Sequence, residues 1–260
     1  MTMELLYRII EENNIPSDVR FMSDSAWEGG PTEMDGVFYN RESNTIVFTP
    51  GGCPYRDYDR LDEWEILYIP NMIKLEGLEV YPASDRMAKG LTKAFKKAIQ
   101  AAGDFENYYG IPESKDAYNA IDLKRPLYYC IKIKGDFIGY IGLNGDENVL
   151  ELEMYIFEQY RNKGYGSRVL KKFIDMVFKD GLIQEKNGKA KKVFPEKLIS
   201  TVRVDNEYSQ RMMKKCGFIE NKDALAEYLG FIDENDEIFT IEIKKYYLSK
   251  EDHLRNHQIL

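Results

Sequence analysis

With 260 residues, of which 43% are hydrophobic and 31% charged, the chain can bury a full core as one large domain or as a domain with an appendage. It has no run of about twenty apolar residues, and its acidic N-terminus lacks the cations of a signal peptide, so we expect a cytoplasmic protein without a membrane span. The three cysteines are irregularly spaced, and the two histidines, His253 and His257, lie near the C-terminus. The cysteines therefore indicate neither a disulfide framework nor a zinc site, and the histidines exclude a histidine-dependent catalytic triad or metal site in the body of the fold.

The first 72 residues differ in charge from the rest of the chain. They hold 14 acidic and 5 basic residues, a net charge of −9. Their pattern predicts a helix over Met3–Glu12, a hairpin of strands at 37–40 and 45–49, and a strand at 65–69. We therefore interpret residues 1–72 as a separate acidic module, which either attracts cationic partners or covers one edge of the main sheet as a solubilising cap.

The next segment predicts a strand followed by two helices. Residues 73–81 alternate as one strand, and Ser84 is a suitable N-cap for a helix over Asp85–Ala102. An aromatic segment at 104–112 then leads to a second helix over about 113–122.

Three antiparallel strands are predicted next, at 127–133, 137–143 and 150–157. The third strand reads LELEMYIF, with bulky apolar residues alternating against two carboxylates. Because side chains alternate between the two faces of a strand, Glu151 and Glu153 share one half-solvated face.

A glycine loop joins this third strand to a helix. Residues 161–166 read RNKGYG, and apolar residues follow at helical spacing through Phe178. The first turn of a helix has unpaired N–H groups and a partial positive charge, and Gly164 and Gly166 let an anion lie close to the backbone. The predicted ligand is a diphosphate. The alternative is that the two glycines form only a tight turn before the helix.

The rest of the chain contains two further strands. Residues 179–197 are rich in Lys, Gly, Asn and Gln and predict an exposed insertion, whose lysines either contact phosphate or nucleic acid or form a solvated loop. A net charge of −8 makes nucleic acid an unlikely partner. Strands are predicted at 198–204 and 239–247, with a helix between them that starts at Asp205. Residues 249–260 predict a charged tail in which both histidines are solvated.

Two short motifs resemble those of one protein family, the GNAT superfamily of N-acetyltransferases. The first motif is Arg or Gln, two residues, Gly, one residue, then Gly or Ala. The second is Asn, two residues, Ser or Ala, seven residues, then Gly-Phe. The residues that match are Arg161, Gly164, Gly166, Asn206, Ser209, Gly217 and Phe218. The resemblance spans about residues 73–247, which gives a predicted domain at 73–248.

The resemblance implies an α/β fold with a mixed, mostly antiparallel sheet flanked by helices. It also implies acetyl-CoA-dependent transfer of an acetyl group to a primary amine of a small molecule or peptide, without a metal. Acetyl-CoA would lie where the strands at 150–157 and 198–204 splay apart. The expected cofactor contacts are Tyr155, Ile156, Phe157, Arg161, Asn162, Lys163, Gly164, Tyr165, Gly166, Ser167 and Asn206.

The resemblance also suggests catalytic residues. Glu151 lies where many members carry a general base, and Glu153 is the second choice; each could instead be an ordinary solvent-facing strand residue. The backbone amide of Ile156 would stabilise the oxyanion. Met213 stands where many members carry the tyrosine that protonates the leaving thiolate, although a thiol with an ordinary pKa of about 8.5 can leave as the thiolate without a proton.

The missing tyrosine and the acidic module leave a second interpretation open. In it the chain is a non-catalytic acyl-CoA-binding or protein-interaction module with a GNAT fold. The aromatic segment at 104–112 either borders the acceptor site, as it commonly does in the family, or anchors the core. A homodimer is compatible with the edge strands and is not required by them.

Overall fold

The fold is known from a computed structural model, which describes residues 3–23, 34–50, 64–83, 85–109, 113–121, 123, 127–186, 189–222, 227–232 and 238–257. The predicted N-cap Ser84 and the end of the aromatic segment, residues 110–112, lie outside the described residues.

The N-terminal residues form a small sheet that packs against one helix. The elements are α1 Met3–Glu12, β1 Arg20–Ser23, β2 Met34–Asn40, β3 Thr45–Pro50 and β4 Glu65–Tyr68. The strand order is β1-β3-β2-β4, and among the described strands of this small sheet only β1 and β3 pair in parallel. Buried apolar side chains of the helix and sheet, including Ile9, Val37 and Ile46, form a common cluster. The predicted helix, hairpin and strand are present, whereas β1 has no counterpart among the predicted elements.

The remaining strands build the main sheet and one separate hairpin. They are β5 Ile73–Leu75, β6 Leu78–Pro82, β7 Tyr128–Ile133, β8 Asp136–Gly145, β9 Val149–Ile156, β10 Leu182–Lys186, β11 Lys189–Val193, β12 Lys197–Arg203, β13 Ile219–Glu220, β14 Glu227–Ile232 and β15 Ile238–Ser249. The order in the main sheet is β13-β15-β12-β9-β8-β7-β6-β5, with β14 also paired to β15. Among the described strands of this sheet, only β9 and β12 pair in parallel.

Helices cover both faces of the main sheet. They are α2 Asp85–Ala102, α3 Phe105–Tyr109, α4 Lys115–Ala120, α5 Tyr165–Lys179, α6 Glu207–Lys215 and α7 Lys250–His257. The apolar stripe of α5, which includes Val169, Phe173 and Val177, is buried against one face. Leu91 and Phe95 of α2 are buried against the other face. The two buried clusters hold the sheet between them and so fix the position of β9.

Two predicted elements differ from the structure. The single strand predicted at 73–81 is two short strands, β5 and β6, because the chain reverses at Gly77, whose φ is +70°. The exposed insertion predicted at 179–197 contains the hairpin of β10 and β11. Leu182 and Val193 face each other in its register and are both buried, so this segment is anchored to the fold.

The C-terminal tail also differs from the prediction. Residues 250–257 form α7, and His253 is only 6% exposed. Its Nε2 lies 2.9 Å from Asp175 Oδ1 of α5, and its ring lies 5.4 Å from that of Phe178. The prediction of a solvated histidine is therefore wrong for His253, because the pair with Asp175 gives the buried imidazole a polar partner.

Candidate active site

Two strands at the middle of the main sheet separate and open a cleft. β9 and β12 pair over three residues, 149–151 of β9 with 197–199 of β12. Beyond this point β9 stays with β8 as far as Ile156, and β12 stays with β15 as far as Arg203. The space between the two strands is a cleft of about 720 Å³. The splayed pair expected from the sequence is therefore present.

The backbone of β9 offers hydrogen-bonding groups to the cleft at alternate residues. The N–H of Phe157 donates to the carbonyl oxygen of Ile138 at 2.8 Å. Because paired and unpaired residues alternate along an antiparallel ladder, Tyr155 also directs its backbone groups toward β8, while Met154 and Ile156 direct theirs toward the cleft. The expected role of the Ile156 amide is compatible with this geometry. Those of Tyr155 and Phe157 are not, since the backbone groups of both residues point toward β8 and the Phe157 amide is already paired there.

The loop after β9 and the start of α5 form one end of the cleft. Asn162 and Gly164 have φ values of 60° and 76°, and Gly164 is the N-cap of α5. The N–H groups in the first turn of a helix lack partners within the helix and carry a partial positive charge. The first turn of α5 contains no acidic residue, so no carboxylate in that turn would repel an anion bound there.

Some of the loop residues named from the sequence line the cleft and others do not. Those that line it are Arg161, Asn162, Tyr165 and Gly166. Lys163, Gly164 and Ser167 lie outside the lining. A Cβ atom on Gly166 would lie 3.3 Å from Met212 Sδ and 3.5 Å from Ile156 Cγ1, so glycine allows α5, α6 and β9 to approach closely.

Arg161, the first residue of the glycine motif, is held inside the protein by three contacts. Its Nε donates to the carbonyl oxygen of Ile156 at 2.9 Å, and its Nη2 lies 2.5 Å from Asp104 Oδ2. Its guanidinium lies 5.0 Å from the ring centre of Tyr155. Tyr155 completes the group, because its hydroxyl donates to the same Asp104 oxygen at 2.9 Å. The Arg161 side chain therefore ties the loop to β9 and to the end of α2.

A second helix N-terminus borders the cleft from the side of β12. Asn206 is the N-cap of α6, and its Oδ1 accepts a hydrogen bond from the Ser209 N–H at 3.0 Å. Gln210 holds the turn before the helix, since its Nε2 donates to the carbonyl oxygen of Val204 at 2.6 Å. Asn206 and Ser209, the matches to the second motif, both line the cleft.

The two carboxylates of β9 lie in the cleft on the α2 side of the sheet. Glu151 is exposed, and its Oε1 accepts a hydrogen bond from Thr201 Oγ1 of β12 at 2.7 Å. Glu153 is half-buried, and its Oε1 accepts a short hydrogen bond from the Tyr128 hydroxyl of β7. The prediction that both share one face agrees with the structure, and each carboxylate has a different donor.

A cluster of tyrosines surrounds this end of the cleft. Tyr108 and Tyr109 of α3 line it and also pack on Phe95, so the aromatic segment both borders the cleft and anchors the core. The Tyr108 and Tyr140 hydroxyls lie 2.5 Å apart. Burial, and then the negative charge of Glu153, raises the pKa of the Tyr109 hydroxyl. These hydroxyls are therefore protonated at neutral pH and act as neutral donors.

The position of the expected catalytic tyrosine is apolar in this protein. Met213 is 3% exposed and lines the cleft. Tyr160 and Tyr208 also line it, and Tyr208 is 45% exposed. Both tyrosines therefore border the cleft near the apolar position of Met213.

The sequence reasoning did not identify Asp104, Tyr128 or Thr201 as site residues. All three contact a predicted site residue from an element distant in the chain. One signal was available for Tyr128. Gly142 interrupts an apolar strand pattern, and an isolated glycine in a strand often marks a close approach of neighbouring groups.

Comparisons with known proteins identify the family. Residues 90–219, half of the chain, match the family model described as Acetyltransferase (GNAT) domain. The chain therefore belongs to the GNAT acetyltransferase family. This confirms the family, the α/β fold with its mostly antiparallel sheet, and the enzyme class expected from the two motifs.

The chain also resembles solved structures, at low sequence identity. A GNAT-family acetyltransferase from Bacillus anthracis is 17% identical, with 69% of this chain and 99% of that chain covered and a TM-score of 0.49. A spermidine N-acetyltransferase from Vibrio cholerae, solved with CoA and spermine, is 16% identical, with 69% and 99% covered and a TM-score of 0.46. No curated protein matches the chain. Likenesses this distant do not bear on the acceptor.

The described residues provide neither a membrane-spanning helix nor a group of metal ligands. None of the described helices is long and apolar enough to cross a membrane. No three His, Cys, Asp or Glu side chains in the described part of the chain are grouped so that they could hold a metal ion.

Proposed function

We propose that the cleft between β9 and β12 binds acetyl-CoA, and that a primary amine enters at the end that carries Glu151 and Glu153. One observation carries the proposal. A single cleft joins the N-termini of α5 and α6 at one end to two carboxylates at the other. An N-acetyltransferase needs both parts, because it must hold a diphosphate and deprotonate an ammonium in one site.

The residues present suit acetyl-CoA in three respects. The first turn of α5 offers unpaired N–H groups to a diphosphate without an opposing carboxylate. Met154 and Ile156 offer backbone groups to an extended amide-containing arm, as the edge of a sheet does to an added strand. A volume of about 720 Å³ falls within the range of small-molecule and cofactor sites, about 300–1,000 Å³. Acetyl-CoA would supply the activated acetyl group as a thioester.

The protons and electrons of the transfer balance as follows. A carboxylate of β9 accepts one proton from the substrate ammonium, whose ordinary pKa is about 10.4 for a lysine-like amine. The freed lone pair forms the N–C bond, and the C–S bond breaks with its electrons on sulfur. The second proton lost by the nitrogen passes to that sulfur, and the carboxyl group returns its proton to solvent.

Backbone and side-chain groups divide the remaining tasks. The N–H of Ile156 faces the cleft and would donate to the carbonyl oxygen of the acetyl group as negative charge develops there. Met213 cannot protonate the departing sulfur. Because a thiol has an ordinary pKa of about 8.5, the reaction proceeds without an acid at this position.

The test is isothermal titration of the protein with CoA and with acetyl-CoA. Gly164→Trp places a bulky side chain at the N-cap of α5, where φ is +76°, and we expect it to abolish binding. Gly135→Trp is the matched control, since Gly135 has a φ of +89°, lies in open space and sits in the β7–β8 turn. Equal affinity in wild type and Gly164→Trp would overturn the assignment of the diphosphate end.

A second measurement separates an enzyme from a binding module. Release of free thiol from acetyl-CoA is followed with spermidine, an aminoglycoside and a lysine-containing peptide. Thiol release above the rate without amine supports the enzyme. Tight binding of acetyl-CoA without release to any amine would favour the non-catalytic module, which Met213 keeps as the alternative.

A further inference from the structure

Three neighbouring strands place a tyrosine, a glycine and a carboxylate in one row across the α2 face of the main sheet. Tyr128 of β7 pairs in register with Gly142 of β8, and Gly142 pairs with Glu153 of β9. The Tyr128 hydroxyl donates to Glu153 Oε1 across the glycine between them. Glu153 is therefore held from two strands away and not only by its own backbone.

Gly142 makes this contact possible. A Cβ atom at this position would lie 2.6 Å from Glu153 Oε1 and 2.7 Å from Tyr128 Cε1. Both distances are shorter than real Cβ contacts. Any other residue at 142 would therefore push the tyrosine and the carboxylate apart, and the glycine serves to bring their side chains together.

We propose that Tyr128 is a positioning residue that keeps Glu153 ionised and aimed into the cleft, so that Glu153 is the carboxylate that accepts the proton of the substrate ammonium. This inference deepens the proposed function and rests on it. A hydrogen bond donated to a carboxylate favours its charged form, and a donor on a rigid strand also fixes the direction of the carboxylate. Tyr128 is suited to this role because it is only 6% exposed.

Glu151 has a weaker case for the same role. Its donor, Thr201 of β12, is half-buried, and Glu151 itself is exposed at the point where β9 and β12 part. Glu153 lies two residues nearer to Ile156, whose amide faces the cleft. An exposed carboxylate is more freely solvated, whereas a half-buried one beside a fixed donor holds a single orientation.

Several tyrosine hydroxyls from the elements packed around Glu153 interact with it. They are the hydroxyls of Tyr128 on β7, Tyr140 on β8, and Tyr108 and Tyr109 on α3. Burial is the main cause that raises the pKa of the last three, and the charge of Glu153 adds to it. On its own strand, Glu151 is the nearest carboxylate in sequence. Removal of the Tyr128 hydroxyl would therefore take away a hydrogen bond and leave the surrounding charge unchanged.

The test follows the titration of Glu153 directly. The protein is labelled with carbon-13 at the glutamate carboxyl groups, and the Glu153 signal is assigned by its absence from Glu153→Gln. We expect Tyr128→Phe to raise the Glu153 titration midpoint by about one pH unit, since a hydrogen bond to a charged group is lost. Tyr129→Phe is the matched control, because Tyr129 is on the same strand, is 1% exposed and packs on Phe173 from the opposite face.

The activity of the same variants tests the role of Glu153 in the reaction. With an amine that wild type acetylates, the acid limb of the kcat/KM profile in Tyr128→Phe should move up in pH with the NMR midpoint. Glu153→Gln should lower kcat by at least about tenfold and remove this limb, while Tyr129→Phe should leave it in place.

The possible failures are distinguishable. No shift of the Glu153 midpoint in Tyr128→Phe, or an equal shift in Tyr129→Phe, would overturn the role of Tyr128, whether or not an acceptor is known. An acid limb that survives in Glu153→Gln and disappears in Glu151→Gln would assign the proton to Glu151. Failure of the proposed function is a different result, the absence of acetyl-CoA binding by wild type.

Discussion

At the scale of single residues, Arg161, the arginine of the first motif, fixes the position of the loop after β9. Arg161 holds the carbonyl oxygen of Ile156 through Nε and the carboxylate of Asp104 through Nη2. Its side chain is 31% exposed and that of Asp104 is 22% exposed, so the pair is partly shielded from solvent. These contacts set the path of the loop between β9 and α5, and thus the place where the first-turn amides of α5 point.

We predict that Arg161→Ala lowers both stability and CoA affinity. The loss of two charge-assisted hydrogen bonds should reduce the free energy of unfolding by about 1–2 kcal/mol. The loosened loop should weaken CoA binding as well. Urea denaturation measures the first effect and isothermal titration the second.

The control for this prediction is another arginine–carboxylate pair. Arg41 and Glu65 also form a contact, at 2.7 Å, but their side chains are 66% and 39% exposed. Arg41→Ala should therefore change the free energy of unfolding by less than about 1 kcal/mol and leave CoA affinity unchanged. An equal loss in the two variants would show that Arg161 is an ordinary surface charge.

The sequence predicted the site at this scale only in part. The period of two along β9 placed Glu151 and Glu153 on one face, and the glycine motif placed the start of α5. Gly142 signalled a close approach, but that Tyr128 and Glu153 are the partners could not be read from the sequence, because it depends on the register of three strands. The wrong role for Phe157 has a similar origin: alternation gives the side-chain face but does not tell which edge of the strand its amide meets.

At the scale of elements, the sequence predicted the helices and strands whose formation depends on the pattern of nearby residues. The helix α5 has a continuous apolar stripe, and the sequence predicted a helix from the glycine loop through Phe178, one residue before its observed end. The helix α7 has no such stripe, and His253, its buried residue among those described, contacts Asp175, which is 78 residues away in the chain. The hairpin of β10 and β11 was not predicted, because its buried end residues Leu182 and Val193 are separated by a polar stretch of the sequence.

Glu220 of β13 joins three elements and gives a prediction that depends on pH. Its carboxylate lies 2.9 Å from Lys214 Nζ of α6 and 3.0 Å from Lys244 Nζ of β15. Hydrogen bonds from these two lysines lower the pKa of Glu220 to about 2. A carboxyl group with a lowered pKa stabilises the folded state above its unfolded pKa, and this contribution is lost as pH falls toward the folded value.

We predict that Glu220→Gln lowers the free energy of unfolding at pH 7 by about 1 kcal/mol, a value reduced for solvent screening at this partly exposed site. The difference from wild type should shrink as pH falls from about 4.5 toward about 2. Urea denaturation across this range measures it. Glu207→Gln is the control, since its pair with Arg211 is exposed at both ends. A difference that stays constant with pH would contradict the assignment of the effect to the Glu220 charge.

At the scale of the whole molecule, the N-terminal sheet shares a core with the main sheet. Phe38 and Ile69 are 1% and 0% exposed and belong to the same buried cluster as Phe95 of α2. That cluster also contains Tyr155 of β9. The acidic composition of residues 1–72 suggested a separate module, and composition cannot reveal a shared cluster because it does not say where the apolar side chains pack.

We predict from this shared cluster that the two parts unfold together. Phe38→Ala should reduce the free energy of unfolding by about 3–5 kcal/mol, as removal of a fully buried aromatic side chain does. The loss should appear equally in tryptophan fluorescence, which reports Trp27 and Trp64, both within residues 1–72, and in amide exchange of α5, which lies on the far side of the main sheet. Ile9→Ala is the control within the N-terminal cluster alone. Two separate transitions, with only the first shifted by Phe38→Ala, would instead make residues 1–72 an independent unit, since a core that is truly shared cannot lose one half and keep the other.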